Sequence, residues 1–236
     1  MKGAGTDGEG VDRRGLRYVA QRSALVVLFA CVLFRSAGTW DWPRAWIYLI
    51  VVSILEGLTL SLLAYLAPAT LNQRGTSGSG IKRFDRVFAV LWLVLALVTP
   101  VVAGLDAVRF RWSTFSWALF GVGLVVLVLA SLFGTWAMVE NGYFEQFVRI
   151  QEERGHRVVS TGPYRFARHP GYLGAILGAL ATPLMLGSAW SFIPAGLICL
   201  LFVVRTGLED RTLRRELPGY EEYTRHTRFR LVPLVW

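Results

Sequence analysis

Long apolar segments alternate with short polar ones along most of the chain. Six segments approach the roughly 20 residues that a helix needs to cross a bilayer core: 17–36, 44–68, 84–106, 114–139, 170–187 and 189–207. Only Gly187 and Ser188 separate the last two, which predicts a tight helical hairpin. The pattern therefore predicts an all-α, polytopic integral membrane protein with about six transmembrane helices and a C-terminal helical hairpin.

The basic residues divide unevenly between the two sides of this layout. Of the 25 Lys and Arg residues, 21 fall in 1–22, 69–86, 140–169 and 205–236. Because Lys and Arg accumulate in cytoplasmic loops, this bias predicts that both termini are cytoplasmic, in a cell inner or plasma membrane. A cleaved signal peptide is the alternative interpretation of the first span. A retained span is favoured, because the apolar run is long and no small-residue cleavage site follows it.

Composition supports a membrane protein and argues against several other classes. Hydrophobic residues make up 54% of the chain and charged residues 17%, against about 25% charged in a soluble domain. The net charge is +9, yet no basic stretch outside the apolar segments is interleaved with aromatics as in a nucleic-acid-binding surface. Cys31 and Cys199 lie in apolar runs, and the three histidines are too scattered to predict a metal site.

The chain divides into three regions on this pattern. Residues 1–15, rich in Gly and charge, are expected to form a mobile N-terminal tail, and 16–139 carry the N-terminal transmembrane helices. Region 140–236 is expected to form a half-buried pocket at the cytoplasmic interface, because its polar residues collect in two stretches, 140–173 and 205–233, that flank the hairpin on one side of the membrane. Between spans two and three, 72–80 has the composition of a flexible loop.

Several side chains in region 140–236 suggest chemistry. Pro170 disfavours helix at His169, so His169 should cap the fifth span, where free backbone N–H groups can hold an anion. Tyr164 and Tyr172 can stack on a heteroaromatic ring. Glu209 lies about one turn after Arg205, so the carboxylate can bind a cation or ribose hydroxyls and the arginine an acceptor's carboxylate. A plain helix salt bridge and an interface cap are the alternative interpretations.

These residues carry a family resemblance. The stretch His156-Arg-Val-Val-Ser-Thr-Gly-Pro-Tyr164, followed by Arg168-His-Pro-Gly-Tyr172-Leu-Gly174, resembles the signature of the isoprenylcysteine carboxyl methyltransferase family. The tail, Arg205-x-x-x-Glu209-Asp210-x-x-Leu213, Gly219-Tyr220-Glu-Glu-Tyr223 and Pro233, is similar to that family's C-terminal block, which usually has two glutamates where this chain has Glu209-Asp210. The resemblance covers about residues 140–236.

The resemblance implies a membrane-embedded methyltransferase that uses S-adenosyl-L-methionine without a soluble Rossmann-type domain. By the same resemblance, Arg205 faces the methyl acceptor and Arg205 and Glu209 form the catalytic pair. The implied cofactor contacts are Gln151, His156, Arg157, Val158, Val159, Tyr164, His169, Pro170, Gly171, Tyr172 and Glu209.

The expected partners are the lipid bilayer and a lipophilic or small anionic acceptor, a carboxylate or a thiol. No metal and no nucleic acid are expected. The prenyl substrate is not carried over, because the first 139 residues do not resemble a particular member. Two other functions stay open: a membrane NAD(P)H-dependent reductase of the sterol-reductase type, and a non-catalytic accessory or transport protein, for which Glu56 and Asp106 within or at the edge of early spans are slight support.

Overall fold

The protein is an integral membrane protein built from helices. The computed structural model describes residues 10–75 and 80–236, and within these ranges it contains helices and no strand. The α-helices are α1 Arg13–Ala37, α2 Pro43–Leu66, α3 Pro68–Arg74, α4 Arg83–Gly104, α5 Trp117–Glu140, α6 Pro170–Leu186, α7 Phe192–Glu216 and α8 Tyr220–His226. Five of them are long and apolar enough to cross a membrane: α1, α2, α4 with its continuation, α5 and α7. Helix α6 is apolar but shorter.

The predicted spans correspond to helices, with differences at their ends. Asp12 caps α1 by accepting hydrogen bonds from the next turn, so the last three residues of the predicted tail are helical. Its first nine residues lie outside the described ranges. The second span breaks at Ala67, where Pro68 starts the short helix α3. The predicted loop 72–80 is helical up to Arg74, and 76–79 are not described.

The hairpin between α6 and α7 is held by a buried carboxylate. Its turn spans 187–191, longer than the predicted two residues. Asp106, in the π-helical turn Leu105–Phe110 that continues α4, is fully buried. It accepts hydrogen bonds from Ser188 Oγ at 2.6 Å and from Trp190 N at 3.1 Å. A buried carboxylate needs such donors, and these join the turn to the continuation of α4.

Helix α6 packs closely on α5, and this contact sets the position of the pocket described below. A Cβ on Gly174 would lie 2.9 Å from the carbonyl oxygen of Ala130, so glycine allows the two backbones to approach. Helix α7 continues nine residues beyond the predicted end at 207. Its polar last turns then lie beside the loops that precede α6.

The polar segments that were predicted on one side of the membrane meet at one end of the helices. Gln73 donates to Glu145 at 2.6 Å, and Lys82 forms an ion pair with Glu216 at 2.7 Å. The backbone nitrogen of Lys82 also donates to the Val148 carbonyl at 3.4 Å. Segments 69–86, 140–169 and 205–236 are therefore neighbours, as predicted. That this end faces the cytoplasm remains a prediction.

Candidate active site

A half-open polar pocket lies where these segments meet. It is formed by the loop 141–165, the start of α6, the second half of α7 and α8. Its enclosed volume is about 100 Å³, and about 790 Å³ when the space open to solvent is counted. Pockets for drug-sized ligands are typically about 300–1,000 Å³, so a ligand of nucleoside size must fill the mouth as well as the enclosed part. The lining includes Gln151, His156, Arg157, Val158, Val159, Tyr164, His169, Gly171, Tyr172, Arg205 and Glu209.

Tyr172 and Glu209 form a hydrogen-bonded pair in the pocket lining. Tyr172 lies in the first turn of α6, and its hydroxyl donates to Glu209 Oε2 across the α6–α7 interface. No ion pair among the described residues includes Glu209, although Arg205 follows the one-turn spacing expected for a helix pair. Glu209 therefore offers the pocket a carboxylate that forms no direct ion pair among the described residues, with Arg205 one turn away on α7.

Arg205 has a different partner from the one its spacing suggested. Its Nε lies 2.8 Å from Oδ1 of Asp85 on α4, and its Nη2 lies 3.1 Å from Asp85 Oδ2 and 2.8 Å from the Gln146 carbonyl. Its guanidinium carbon lies 5.0 Å from the centre of the Tyr172 ring. The interpretation as a salt bridge between Arg205 and Glu209 is therefore wrong.

A second buried carboxylate, Asp210, joins three segments beside the pocket. It accepts from Arg168 Nε at 2.8 Å, from Tyr220 hydroxyl at 3.1 Å and from Arg230 Nε at 3.1 Å. Arg168 also donates to the Thr227 carbonyl at 2.8 Å. The C-terminal segment is thereby tied to the residues that start α6.

His169 occupies the predicted position before α6, but it does not leave an open anion site. It is the N-cap residue and its side chain makes no capping hydrogen bond. The backbone nitrogens of Arg168 and His169 donate to carbonyls of Phe229 and Arg230, and those of Tyr172 and Leu173 donate to the His169 carbonyl. Most N–H groups at this helix start are therefore already occupied. The His169 ring instead stacks on Tyr172, with centroids 5.6 Å apart.

The loop before α6 is folded on itself at the pocket mouth. The rings of Tyr143 and His156 stack with centroids 4.5 Å apart. Gln151 is buried, donating from Nε2 to the Tyr143 carbonyl at 2.7 Å and accepting from Arg154 at 2.6 Å. Burial lowers the pKa of His156 below its usual value. The imidazole is therefore neutral near pH 7 and suits contact with a flat ring or a cation.

Two buried tyrosines support the floor of the pocket. Tyr164 donates to the Ala137 carbonyl at 3.3 Å, and Tyr223 donates to the Tyr164 carbonyl at 2.6 Å. Burial raises the pKa of Tyr164 above its usual range and that of Tyr223 to about 12. Both hydroxyls are therefore neutral hydrogen-bond donors at physiological pH.

Eleven of the twelve residues predicted for the site line this pocket, and Pro170 does not. Pro170 begins α6 with its ring buried in the helix start, so its role is to set the backbone. Sequence reasoning missed Asp85, which is far from the quoted motifs. It did not include Arg168 among the site residues, although Arg168 lines the pocket. The position of Arg168 next to His169 was the available signal. Whether any lining residue binds a cofactor remains a prediction.

The described part of the chain offers a pocket lined by a carboxylate that forms no direct ion pair and by several aromatic rings. Within it, no group of three or more His, Cys, Asp or Glu side chains is placed to hold a metal ion. The fold and the site together define a polytopic membrane protein with a ligand-sized pocket at one end of its helices.

Sequence comparison identifies a related family. Residues 122–215 match the isoprenylcysteine carboxyl methyltransferase (ICMT) family, so this region of the chain is similar to that family. A rice protein (Oryza sativa subsp. japonica) named "Probable protein-S-isoprenylcysteine O-methyltransferase" is 32% identical over 110 residues, 45% of this chain and 58% of the rice protein. The protein-S-isoprenylcysteine O-methyltransferase of Saccharomyces cerevisiae is 33% identical over 91 residues, 38% of this chain and 36% of the yeast protein.

A bacterial relative has a different name. The cobalt-zinc-cadmium resistance protein CzcN of Cupriavidus metallidurans is 31% identical over 143 residues, 58% of this chain and 60% of that protein. The chain thus spans less than two thirds of the length of each of these relatives. The family match begins at residue 122, so α1 to α4 lie outside it.

Proposed function

We propose that the protein is a membrane-embedded methyltransferase that uses S-adenosyl-L-methionine and acts on a lipophilic or small anionic acceptor. The observation that carries the proposal is Glu209, a carboxylate in the pocket lining that accepts from Tyr172 and forms no direct ion pair among the described residues. S-Adenosyl-L-methionine carries a sulfonium and an ammonium, and the family match supports this cofactor. When bound, it supplies a methyl group on sulfur that an acceptor atom can attack directly.

The residues around the pocket suit the parts of such a cofactor. Glu209 would hold a cationic group or the ribose hydroxyls, and the Tyr172 hydroxyl would keep the carboxylate oriented. The rings at the mouth, Tyr143 and His156, would contact the adenine. The remaining proposed contacts from the predicted set are Gln151, Arg157, Val158, Val159, Tyr164, His169 and Gly171. The enzyme's task would then be to align the acceptor with the methyl group and exclude water.

The surroundings of the pocket support a lipophilic acceptor. An apolar cavity of about 410 Å³ lies among the membrane-spanning helices, and Phe202 forms part of its wall. The Phe202 ring packs on Tyr172 with centroids 5.4 Å apart, so the cavity adjoins the polar pocket. An apolar tail in this cavity would place a polar head near Arg205.

The pocket favours an acceptor that is nucleophilic as it stands. The imidazole Nε2 of His169 lies 3.5 Å from the Tyr220 hydroxyl and 3.6 Å from Asp210 Oδ1. It is therefore engaged with the buried cluster and poorly placed to accept a proton from an acceptor. A carboxylate needs no such base, whereas a thiol must first ionise.

Ligand binding by the purified full-length protein in lipid nanodiscs tests this proposal. We expect binding of methyl-tritiated S-adenosylmethionine that S-adenosylhomocysteine competes and NADPH does not. Competition by NADPH instead would support the reductase, and binding of neither would support a non-catalytic protein. Glu209→Ala should abolish binding while the protein stays folded in detergent. Glu216→Gln is the matched control, because Glu216 lies two turns along α7 and is exposed.

Turnover is then measured with defined acceptors. The probes are an S-farnesyl cysteine with a free carboxylate, a long-chain alkyl thiol and a long-chain amine. Methylation of the carboxylate is the expected result, with the thiol second. Transfer to the neutral amine alone would refute the preference for an anionic acceptor.

A further inference from the structure

The carboxylate of Asp85 lies beneath the pocket although its residue belongs to a distant part of the sequence. Asp85 is in the first turn of α4, 120 positions before Arg205 and outside the family match. Its side chain is fully buried. A buried carboxylate is costly unless it is paired and hydrogen-bonded, so its partners indicate its role.

Its partners are all parts of the pocket wall. Two Asp85 oxygens face the Arg205 guanidinium, at 2.8 Å from Nε and 3.1 Å from Nη2. The backbone nitrogen of Val148 donates to Oδ2 at 2.6 Å, and Val148 lines the pocket. Asp85 therefore holds both an arginine of α7 and the loop that precedes α6.

The guanidinium is also enclosed from its faces. Its central carbon lies 4.3 Å from the centre of the Phe88 ring and 5.0 Å from that of Tyr172. Phe88 lies one turn after Asp85 on α4, so a single helix supplies both the counter-ion and one aromatic face. Arginine is long and flexible. These contacts hold the Arg205 side chain against the ring of Tyr172, whose hydroxyl donates to Glu209.

We propose that Asp85 is a positioning residue, which fixes the Arg205 side chain at the acceptor side of the pocket. This inference rests on the proposed function, since Arg205 is there assigned to the methyl acceptor. Asp85 is not among the residues that line the pocket, so it acts through Arg205. The N-terminal helices, which the family match does not cover, thereby contribute to turnover.

A double-mutant cycle between Asp85→Asn and Arg205→Gln tests the inference. The assay is methyl transfer to the S-farnesyl cysteine probe, with S-adenosylhomocysteine affinity measured in parallel. Because a misplacement of about 1 Å can cost about 100-fold in rate, we expect Asp85→Asn to lower kcat/KM about 10-fold or more. In the Arg205→Gln background the same change should cost less than about twofold. The affinity for S-adenosylhomocysteine should change less than about twofold in both.

A purely structural role predicts a different pattern. Asp85→Asn would then lower turnover and binding capacity together, by the same factor with or without Arg205, and that result overturns the inference. Glu216→Gln is the matched control, because it breaks the exposed Lys82–Glu216 pair between the same two helices and should change nothing. If Asp85→Asn does not fold, Asp85→Glu keeps the charge but shifts it by one methylene. It should lose turnover with unchanged binding, and full turnover would overturn the inference.

The Arg205 side chain can also be observed without an acceptor. In NMR spectra of protein labelled with ¹⁵N-arginine, the Nε–H resonance of Arg205 is the one that disappears in Arg205→Gln. This resonance should move in Asp85→Asn and stay in place in Glu216→Gln. If the resonance does not move in Asp85→Asn, the inference about Asp85 is overturned and the proposed function is not affected. A wild type that neither binds S-adenosylhomocysteine nor methylates any probe overturns the proposed function, and this inference falls with it.

Discussion

Replacing Asp210 by asparagine should destabilise the protein more than any other single change of charge near the pocket. Asp210 is fully buried and accepts from Arg168, Tyr220 and Arg230 at 2.8, 3.1 and 3.1 Å. Asparagine removes the negative charge and replaces one acceptor oxygen by a donor that faces other donors. Arg168, itself buried, would keep only its carbonyl partners at Thr227 and Arg228.

The magnitude follows from the burial of this cluster. Breaking a buried ion pair costs about 3–5 kcal/mol, because a charge is left uncompensated. Loss of the neutral hydrogen bond from Tyr220 adds about 1 kcal/mol. A total near 5 kcal/mol corresponds to a fall in melting temperature of roughly 10–20 °C for a chain of this size. The affinity for S-adenosylhomocysteine should fall as well, since the cluster fixes the residues that start α6.

Thermal unfolding followed by tryptophan fluorescence in detergent measures the effect. The control is Glu222→Gln, which breaks an exposed pair with Arg225 and should change the melting temperature little. If Asp210→Asn melts within about 2 °C of the wild type, the ion cluster does not hold the C-terminal segment in place. The account of how that segment supports the pocket would then be wrong.

Three further changes test other parts of the structure. Arg205→Ala should spare S-adenosylhomocysteine binding and lower methyl transfer, and unchanged kinetics would assign Arg205 a structural role only. Burial lowers the pKa of His156, so the folded protein binds that proton less readily than the unfolded chain. The melting temperature should therefore fall as the pH drops below about 6.5 and stay flat above it. His156→Phe should reduce this fall. An identical fall in the variant would show that His156 is not the group that causes it. Asp106→Asn should lower the free energy of unfolding by about 1–3 kcal/mol, because it weakens the hydrogen bond that Ser188 donates to Asp106. The affinity for S-adenosylhomocysteine should stay unchanged. Weaker binding would show that the far end of the helices influences the pocket.

The relation between sequence and structure differs between the spans and the site. Each membrane span was predictable, because the length of an apolar run is a local property and the bilayer sets the length required. The ends were less predictable. Helix α7 continues to Glu216, since its polar residues after Arg205 find partners at the pocket that a hydropathy pattern does not show.

Sequence reasoning named many of the residues that line the candidate pocket, but some of the contacts it suggested between them are wrong. The motifs around His156, Tyr164 and Tyr172 placed their residues on the pocket, because short-range motifs keep neighbouring side chains together. Helix spacing put Arg205 and Glu209 on one face of the helix and left a salt bridge between them as an alternative interpretation. The structure pairs Arg205 with Asp85, because a buried guanidinium is stabilised by a buried carboxylate on whichever helix presents it.

The sequence by itself determined an all-helical membrane protein, the grouping of its basic segments at one end and eleven of the residues that line the candidate pocket. Only the tertiary structure decided which charges meet. Asp85 and Arg205 are 120 positions apart, and Asp210 gathers donors from three separate segments. Such pairs depend on how helices pack side by side, and no local pattern of hydrophobic and polar residues encodes that arrangement.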